Sequence, residues 1–174
     1  VPHFEKMLYD NAQLLKLYLD AYRVSGNERY RKVAESIAQY VRNRLTHPEG
    51  GFFSAEGAES EGVEGKFYVW TSEELRRVLN EAEFEVLARY FDVSKEGNFI
   101  DPSLPGGPEG RNILARQEGA IAATDRELLA QAKAKLREAR SHRTRPNRDD
   151  KVLSSWNGLM LGALSQLYGL NPKE

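Results

Sequence analysis

The sequence predicts an all-α chain with one β excursion, and three observations point there. Apolar residues recur at helical spacing in about six separate segments. The first two segments are joined by a turn so short that they must pack antiparallel. Strand chemistry is confined to a single stretch, Gly50 to Trp70, GGFFSAEGAESEGVEGKFYVW.

The first stripe, Phe4, Met7, Leu8, Leu14, Leu15, Tyr18, Ala21 and Tyr22, predicts a helix to about Val24. Gly26 can take the left-handed conformation that ends it, and Asn27 can cap the next helix. That second helix runs from about Glu28 to Leu45 with Tyr30, Val33, Ala34, Ile37, Tyr40 and Val41 inward, and His47-Pro48-Glu49-Gly50-Gly51 stops it. Phe52-Phe53 and Lys66 to Trp70 then read as two aromatic arms of a β-hairpin around a glycine-studded loop carrying Glu56, Glu59, Glu61 and Glu64. Thr71-Ser72-Glu73-Glu74 matches a capping box and opens a short helix with Leu75, Val78 and Leu79, followed by another with Phe84, Leu87, Ala88 and Phe91. Asp92 to Gly110 reads as a long loop containing Pro102, Pro105 and Pro108, and Asn112-Ile113-Leu114 as an extended piece re-entering the core. A second capping box, Thr124 to Glu127, opens a helix to about Arg140. The last helix starts near Ser154 or Ser155, carries Trp156, Leu159, Met160, Ala163, Leu164, Leu167 and Tyr168, and ends at Gly169 before Pro172.

The 174 residues carry 25 basic and 26 acidic side chains for a net charge of -1, so no whole-chain field attracts nucleic acid or an anionic membrane. The local basic cluster from Arg137 to Arg148 reads as a solvated helix end and loop. With 0 cysteines the chain has no disulfide, no thiolate metal site and no CxxC redox pair, which fits a cytoplasmic location. No apolar run reaches the roughly 18 residues of a membrane span. The chain begins Val1-Pro2-His3-Phe4 with no initiator methionine, and the expectation is an excised segment or a processed start. Neither a metal nor a cofactor is expected from three scattered histidines.

Three polar clusters fall at the starts of apolar helices, where side-by-side packing would line one rim. The first holds His3, Lys6, Asp10 and Asn11; the second is the acidic loop with Tyr68 and Trp70; the third is Asp149-Asp150-Lys151 followed by Trp156-Asn157-Gly158. An indole beside carboxylates and an amide is what a sugar subsite uses. Paired carboxylates, two among Glu56, Glu59, Glu61, Asp10, Asp149 and Asp150 facing each other across the rim, would serve glycoside cleavage. Epimerisation would need a base near neutrality, for which His3 is placed. The catalytic candidates are therefore His3, Glu56, Glu59 and Asp150, and the binding candidates Asp10, Asn11, Tyr68, Trp70, Trp156 and Asn157. Each cluster reads equally as helix caps, surface ion pairs and core aromatics.

PHFEKMLYDNAQL at Pro2 to Leu14, GGFFSAEGAESEGVEGKFYVWT at Gly50 to Thr71, GNF at Gly97 to Phe99 and DDKVLSSWNGLML at Asp149 to Leu161 closely resemble thioredoxin-domain-containing proteins of the spermatogenesis-associated type. The resemblance runs nearly end to end. It implies a thioredoxin-like domain followed by an (α/α)6 toroid of αα-hairpins, similar to those of N-acylglucosamine 2-epimerases and six-hairpin glycosidases. On that likeness residues 1–174 form one incomplete segment of the toroid, with the thioredoxin-like domain absent. The family's acidic loop usually reads SAEDADSEG, so Gly57 stands where the family has a carboxylate, and Glu59 replaces a shorter one. The resemblance brings no assigned reaction, because fold does not imply function.

Two functions are compatible with these residues: a carbohydrate-active domain, epimerase-like or hydrolase-like, acting on a small carbohydrate, or a non-catalytic helical scaffold supporting an adjacent redox domain or a protein partner. A toroid closes only when every hairpin is present. The segment is therefore expected to leave apolar helix faces open and to self-associate.

Overall fold

The computed structural model describes residues 3–99, 110–116 and 119–170. Along the chain the elements are β1 (Lys6–Met7), α1 (Leu8–Ser25), α2 (Glu28–Arg44), β2 (Ala55–Glu56), β3 (Glu59–Ser60), β4 (Val63–Glu64), β5 (Trp70–Thr71), α3 (Ser72–Val78), α4 (Glu81–Phe91), β6 (Arg111–Asn112), α5 (Arg126–Ser141), β7 (Arg148–Asp149) and α6 (Ser154–Leu170). Among the described residues, six α-helices and strands of only two residues make an all-α class. None of the described helices is long and apolar enough to cross a membrane. The expectations at Pro102, Pro105, Pro108 and Pro172 lie outside the described residues.

The chain divides into two compact units, one formed by Phe4–Ala58 with Pro146–Glu174, the other by Glu59–Arg145 with His3. The first unit packs α1, α2 and α6 around Leu8, Leu15, Leu19, Ala34, Val41, Leu45, Phe53, Met160 and Ala163. Its turn is as the sequence predicts. Gly26 is left-handed at φ 66° and its N–H caps α1 through the Tyr22 carbonyl, while the Asn27 side chain accepts from the Arg29 amide. The first helix begins at Leu8 rather than Phe4, because Lys6 and Met7 pair antiparallel with Glu56 and Ala55. Ala55 and Glu56 pair in turn with Asp149 and Arg148, giving a three-stranded sheet in the order β1-β2-β7.

The expected hairpin of two aromatic arms does not form. Phe52 instead bridges Thr46, and the Phe53 amide donates to the Leu45 carbonyl at 2.6 Å. Trp70 and Thr71 pair with Asn112 and Arg111. A shorter hairpin sits between the arms, with Glu59 and Ser60 opposite Glu64 and Val63. Aromatic and β-branched residues suit a pleated surface without saying which strand they meet. Here the first arm pairs locally, with Thr46 and Leu45, and the second finds its backbone partner, Asn112, far along the chain.

The second unit packs α3, α4 and α5 around Trp70, Leu75, Leu79, Phe84, Val86, Leu87, Phe91, Leu129, Ala132 and Leu136. Thr71 and Glu74 form the predicted capping box, and Asn80 with Glu83 forms another that opens α4. The box expected at Thr124 is absent: Ala123–Asp125 makes a 3-10 turn, and α5 starts at Arg126 with no side-chain cap. Asp125 is otherwise engaged, accepting from the Tyr90 hydroxyl at 3.0 Å and the Arg89 guanidinium at 3.1 Å. Asn112, fully buried in β6, donates from its amide to the carbonyls of Trp70 and Ser94 and accepts from the Ser94 amide. Gly97 has φ +91°, and a Cβ there would stand 2.4 Å from the Arg111 carbonyl oxygen, so that turn requires glycine.

Glu83 is buried with 1% of its surface exposed, and Lys135 of α5 donates to both its oxygens at 2.6 and 2.8 Å. That ammonium first, and the Asn80 amide second, hold its carboxyl below the usual value of 4.5 despite burial. A carboxyl lowered by folding stabilises the fold above its unfolded value, and the stabilisation is lost as pH falls through the lower folded one. We expect the urea midpoint of the wild type to fall below about pH 4.5, and Glu83→Gln to be less stable at neutral pH with a flatter profile over the same acid window. Parallel wild-type and variant profiles would rule out this role for Glu83.

Candidate functional site

Glu56, the best-defined of the sequence-selected carboxylates, lies on the middle strand of the three-stranded sheet and is 1% exposed. Tyr40 donates its hydroxyl to Oε2 at 2.8 Å, and Arg44 donates Nη2 to Oε1 at 3.1 Å. A carboxylate taken out of water needs such partners, because leaving it unpaired costs several kcal/mol. The two donors sit four residues apart on α2 and therefore on one helix face. Around them the backbone is tightly tied: the Ser54 hydroxyl donates to the Asp149 carbonyl at 3.1 Å, and the Gly57 amide to the Asn147 carbonyl at 2.7 Å. A Cβ at Gly57 would lie 3.3 Å from that same Asn147 oxygen.

In the same unit, Asp10 is exposed in the first turn of α1, and Asn11 donates its amide to the Met7 carbonyl at 2.7 Å. Trp156 meets Tyr9 edge to face with ring centroids 4.8 Å apart. Asn157 brackets Phe52, accepting from its amide at 2.8 Å and donating to its carbonyl at 3.0 Å, with a second donation to Leu153. Asp150 is exposed and accepts from Arg148 Nε at 2.6 Å. Lys151, beside Asp149, holds that carboxyl below its usual value. Glu56, Asp10, Asn11, Asp150, Trp156 and Asn157 thus all belong to this unit, which uses Glu56, Asn11 and Asn157 as internal ties.

The other unit holds His3 and Glu59, both exposed, with Tyr68 and Trp70. Glu59 stands opposite Glu64 across β3 and β4, a like-charge pair that favours solvent. Tyr68 lies edge-on to Phe67 at 4.9 Å. Trp70 is 3% exposed, and the Arg143 guanidinium stacks on its ring at 3.8 Å. Arg143 also donates to the carbonyls of Lys66, Phe67 and Val69 at 3.3, 3.2 and 2.7 Å. The basic stretch read as a solvated helix end therefore contributes a structural guanidinium. Sequence reasoning missed Arg143, and it also missed Tyr40 and Arg44 as partners of Glu56. The one available signal was the four-residue spacing of the last two. Among the described residues no three His, Asp or Glu side chains gather as a metal site.

No family model matches the chain. It is 39% identical to human spermatogenesis-associated protein 20 over 92% of its length, and 37% identical to the mouse protein of that name over 95% of its length. The likeness to the spermatogenesis-associated type therefore holds. An uncharacterized protein of Caenorhabditis elegans is 34% identical over 97% of this chain. The chain spans about a quarter of the length of these curated relatives, 24% of human spermatogenesis-associated protein 20 and 26% of the nematode protein.

Replacing Glu56 by Ala leaves the Arg44 guanidinium without its carboxylate in a largely buried site. We expect a loss of about 3 kcal/mol of stability, the lower end for a broken buried pair because Arg44 retains some solvent. Tyr40→Phe should cost about 1 kcal/mol, the worth of one hydrogen bond. Urea unfolding measures both, and an Ala variant as stable as wild type would show that Glu56 is no anchor.

Proposed function

We propose that the chain is a non-catalytic helical scaffold, one segment of an (α/α) toroid in a thioredoxin-domain-containing protein, whose open helix faces pack against further αα-hairpins. The observation that carries this reading is α6. Its sequence, SSWNGLMLGALSQLYGL, contains no charged residue. A helix without a polar, charged face is ordinarily buried on all sides. Yet Leu161 and Tyr168, seven residues apart on one face, are 58% and 61% exposed, and on α1 Leu17 is 61% exposed. The internal use of Glu56, Asn11 and Asn157 supports the same reading, since side chains already held by other groups of the chain are not available to a substrate. Where the chain is present alone, a second copy would cover these faces. Sedimentation should show concentration-dependent self-association of the isolated chain, reduced by Leu161→Glu with Tyr168→Glu. A monomer at every concentration would overturn the proposal.

One observation favours a second reading, a carbohydrate-binding toroid of epimerase-like or glycosidase-like ancestry in a cytoplasmic protein. Exposed Asp10 directly follows Tyr9, whose ring meets Trp156, so a carboxylate adjoins an aromatic pair at a helix start. Exposed Asp150, in the same unit, would then be the candidate for proton transfer. Calorimetry with mono- and disaccharides on the chain and its Trp156→Ala variant tests it. Binding lost in the variant supports this reading, and the absence of any heat removes it.

A further inference from the structure

The helix α5 carries Lys133, Arg137 and Arg140 at spacings of four and three, which set them on one face one above the other. The structure places this row along a concave surface of about 370 Å³ within the unit formed by Glu59–Arg145. The aromatic rings of Trp70 and Phe91 and the side chain of Leu136 line its apolar part. Arg116, in the segment that follows β6, adds a fourth cation. The volume falls in the range of pockets that take small organic ligands.

Four cations gathered over an apolar floor need a reason, because like charges four apart on a helix destabilise it. Several other cations of this unit are neutralised: Lys135 pairs with Glu83, Arg89 with Asp125, Arg76 with Glu81 and Arg143 with Glu74. Among the described residues no carboxylate pairs with Lys133, Arg137, Arg140 or Arg116. Lys133 lies 5.5 Å over the Phe91 ring, Arg140 lies 5.6 Å over Phe67, and Arg116 donates to the Gly119 carbonyl. Burial first, then the charges of Arg137 and Arg116, lower the ammonium of Lys133. Burial likewise leads the lowering at Arg140, with Arg145, Arg137 and Arg143 adding to it against Tyr68. An anion in the cavity would relieve that repulsion, and guanidinium forks match the oxygens of a phosphate.

We propose that this cavity binds a small organic phosphate monoester, its apolar or aromatic body against Trp70, Phe91 and Leu136 and its phosphate held by Arg116, Lys133, Arg137 and Arg140. Apart from Trp70, one of the sugar-binding candidates read from the sequence, none of these residues takes part in the scaffold or sugar readings, and the four cations test the proposal separately from them.

The test is calorimetric titration of the chain with phenyl phosphate, with inorganic phosphate alone and with phenol. Phenyl phosphate should bind at least about tenfold more tightly than inorganic phosphate, since only it uses the apolar floor. Phenol should not displace it. Arg137→Gln and Lys133→Gln should each weaken phenyl phosphate binding by about tenfold, the effect of losing one charge-assisted hydrogen bond, whereas Arg77→Gln on α3 should leave it unchanged. Thermal melts by circular dichroism verify that each variant is folded. The proposal is overturned by absent binding of phenyl phosphate, by equal affinity for inorganic phosphate, or by folded Arg137 and Lys133 variants that bind as wild type does.

Discussion

The first unit depends on one buried carboxylate. Glu56 is on the central strand of a sheet whose neighbours lead directly into α1 and, through Asp149 and a short connection, toward α6, while its two oxygens are held from α2. Three helices are thus referenced to a single side chain. Strands of two residues contribute few ladder bonds, so the sheet has little stability of its own. The ion pair and the tyrosine hydrogen bond supply what the short ladders lack, and they do so only in one register, since sliding β2 by one residue would turn Glu56 to the other face.

Helices were legible because their signal is redundant. The stripe from Leu8 to Tyr22, Gly26 as a left-handed stop and Asn27 as a cap each point to the same turn, and the structure realises all three. Pairing of strands was not legible, because two-residue strands carry no alternation to read. The aromatic arms at Phe52-Phe53 and Lys66 to Trp70 suit strands, but their partners, Thr46 and Asn112, are fixed by packing rather than by local pattern. Thr124 failed as a cap for a related reason: Asp125 is claimed by Arg89 and Tyr90 of another helix, and the chain enters α5 through a 3-10 turn.

The candidate site was half legible. Residue type located the polar helix starts correctly, since Asp10, Asp149 and Asp150 all occur where a helix begins or just before it. Residue type could not say which side chains the fold would spend internally. Asn157 illustrates this: an amide one turn into a helix reads as a ligand group, yet it replaces strand partners for Phe52. Arg143 is the converse, a residue read as solvated whose guanidinium covers Trp70 and gathers three carbonyls. Long cationic side chains bury their stems and aromatic contacts readily, so a run of arginines does not by itself mark solvent.

The sheet order β1-β2-β7 has a consequence for how the chain acquires its structure. Its outer strands come from Lys6–Met7 and Arg148–Asp149, so the unit built on Glu56 is interrupted in sequence by Glu59–Arg145, the bulk of the other. During synthesis the interrupting unit is complete before the last strand of the interrupted one has been made. Closing so long a loop carries an entropic cost that grows slowly with length, and a loop already folded costs less to close than a disordered one. The two units are therefore expected to mature in a fixed order, the one built on Glu59–Arg145 first, with the sheet around Glu56 complete only once Arg148 and Asp149 have been made.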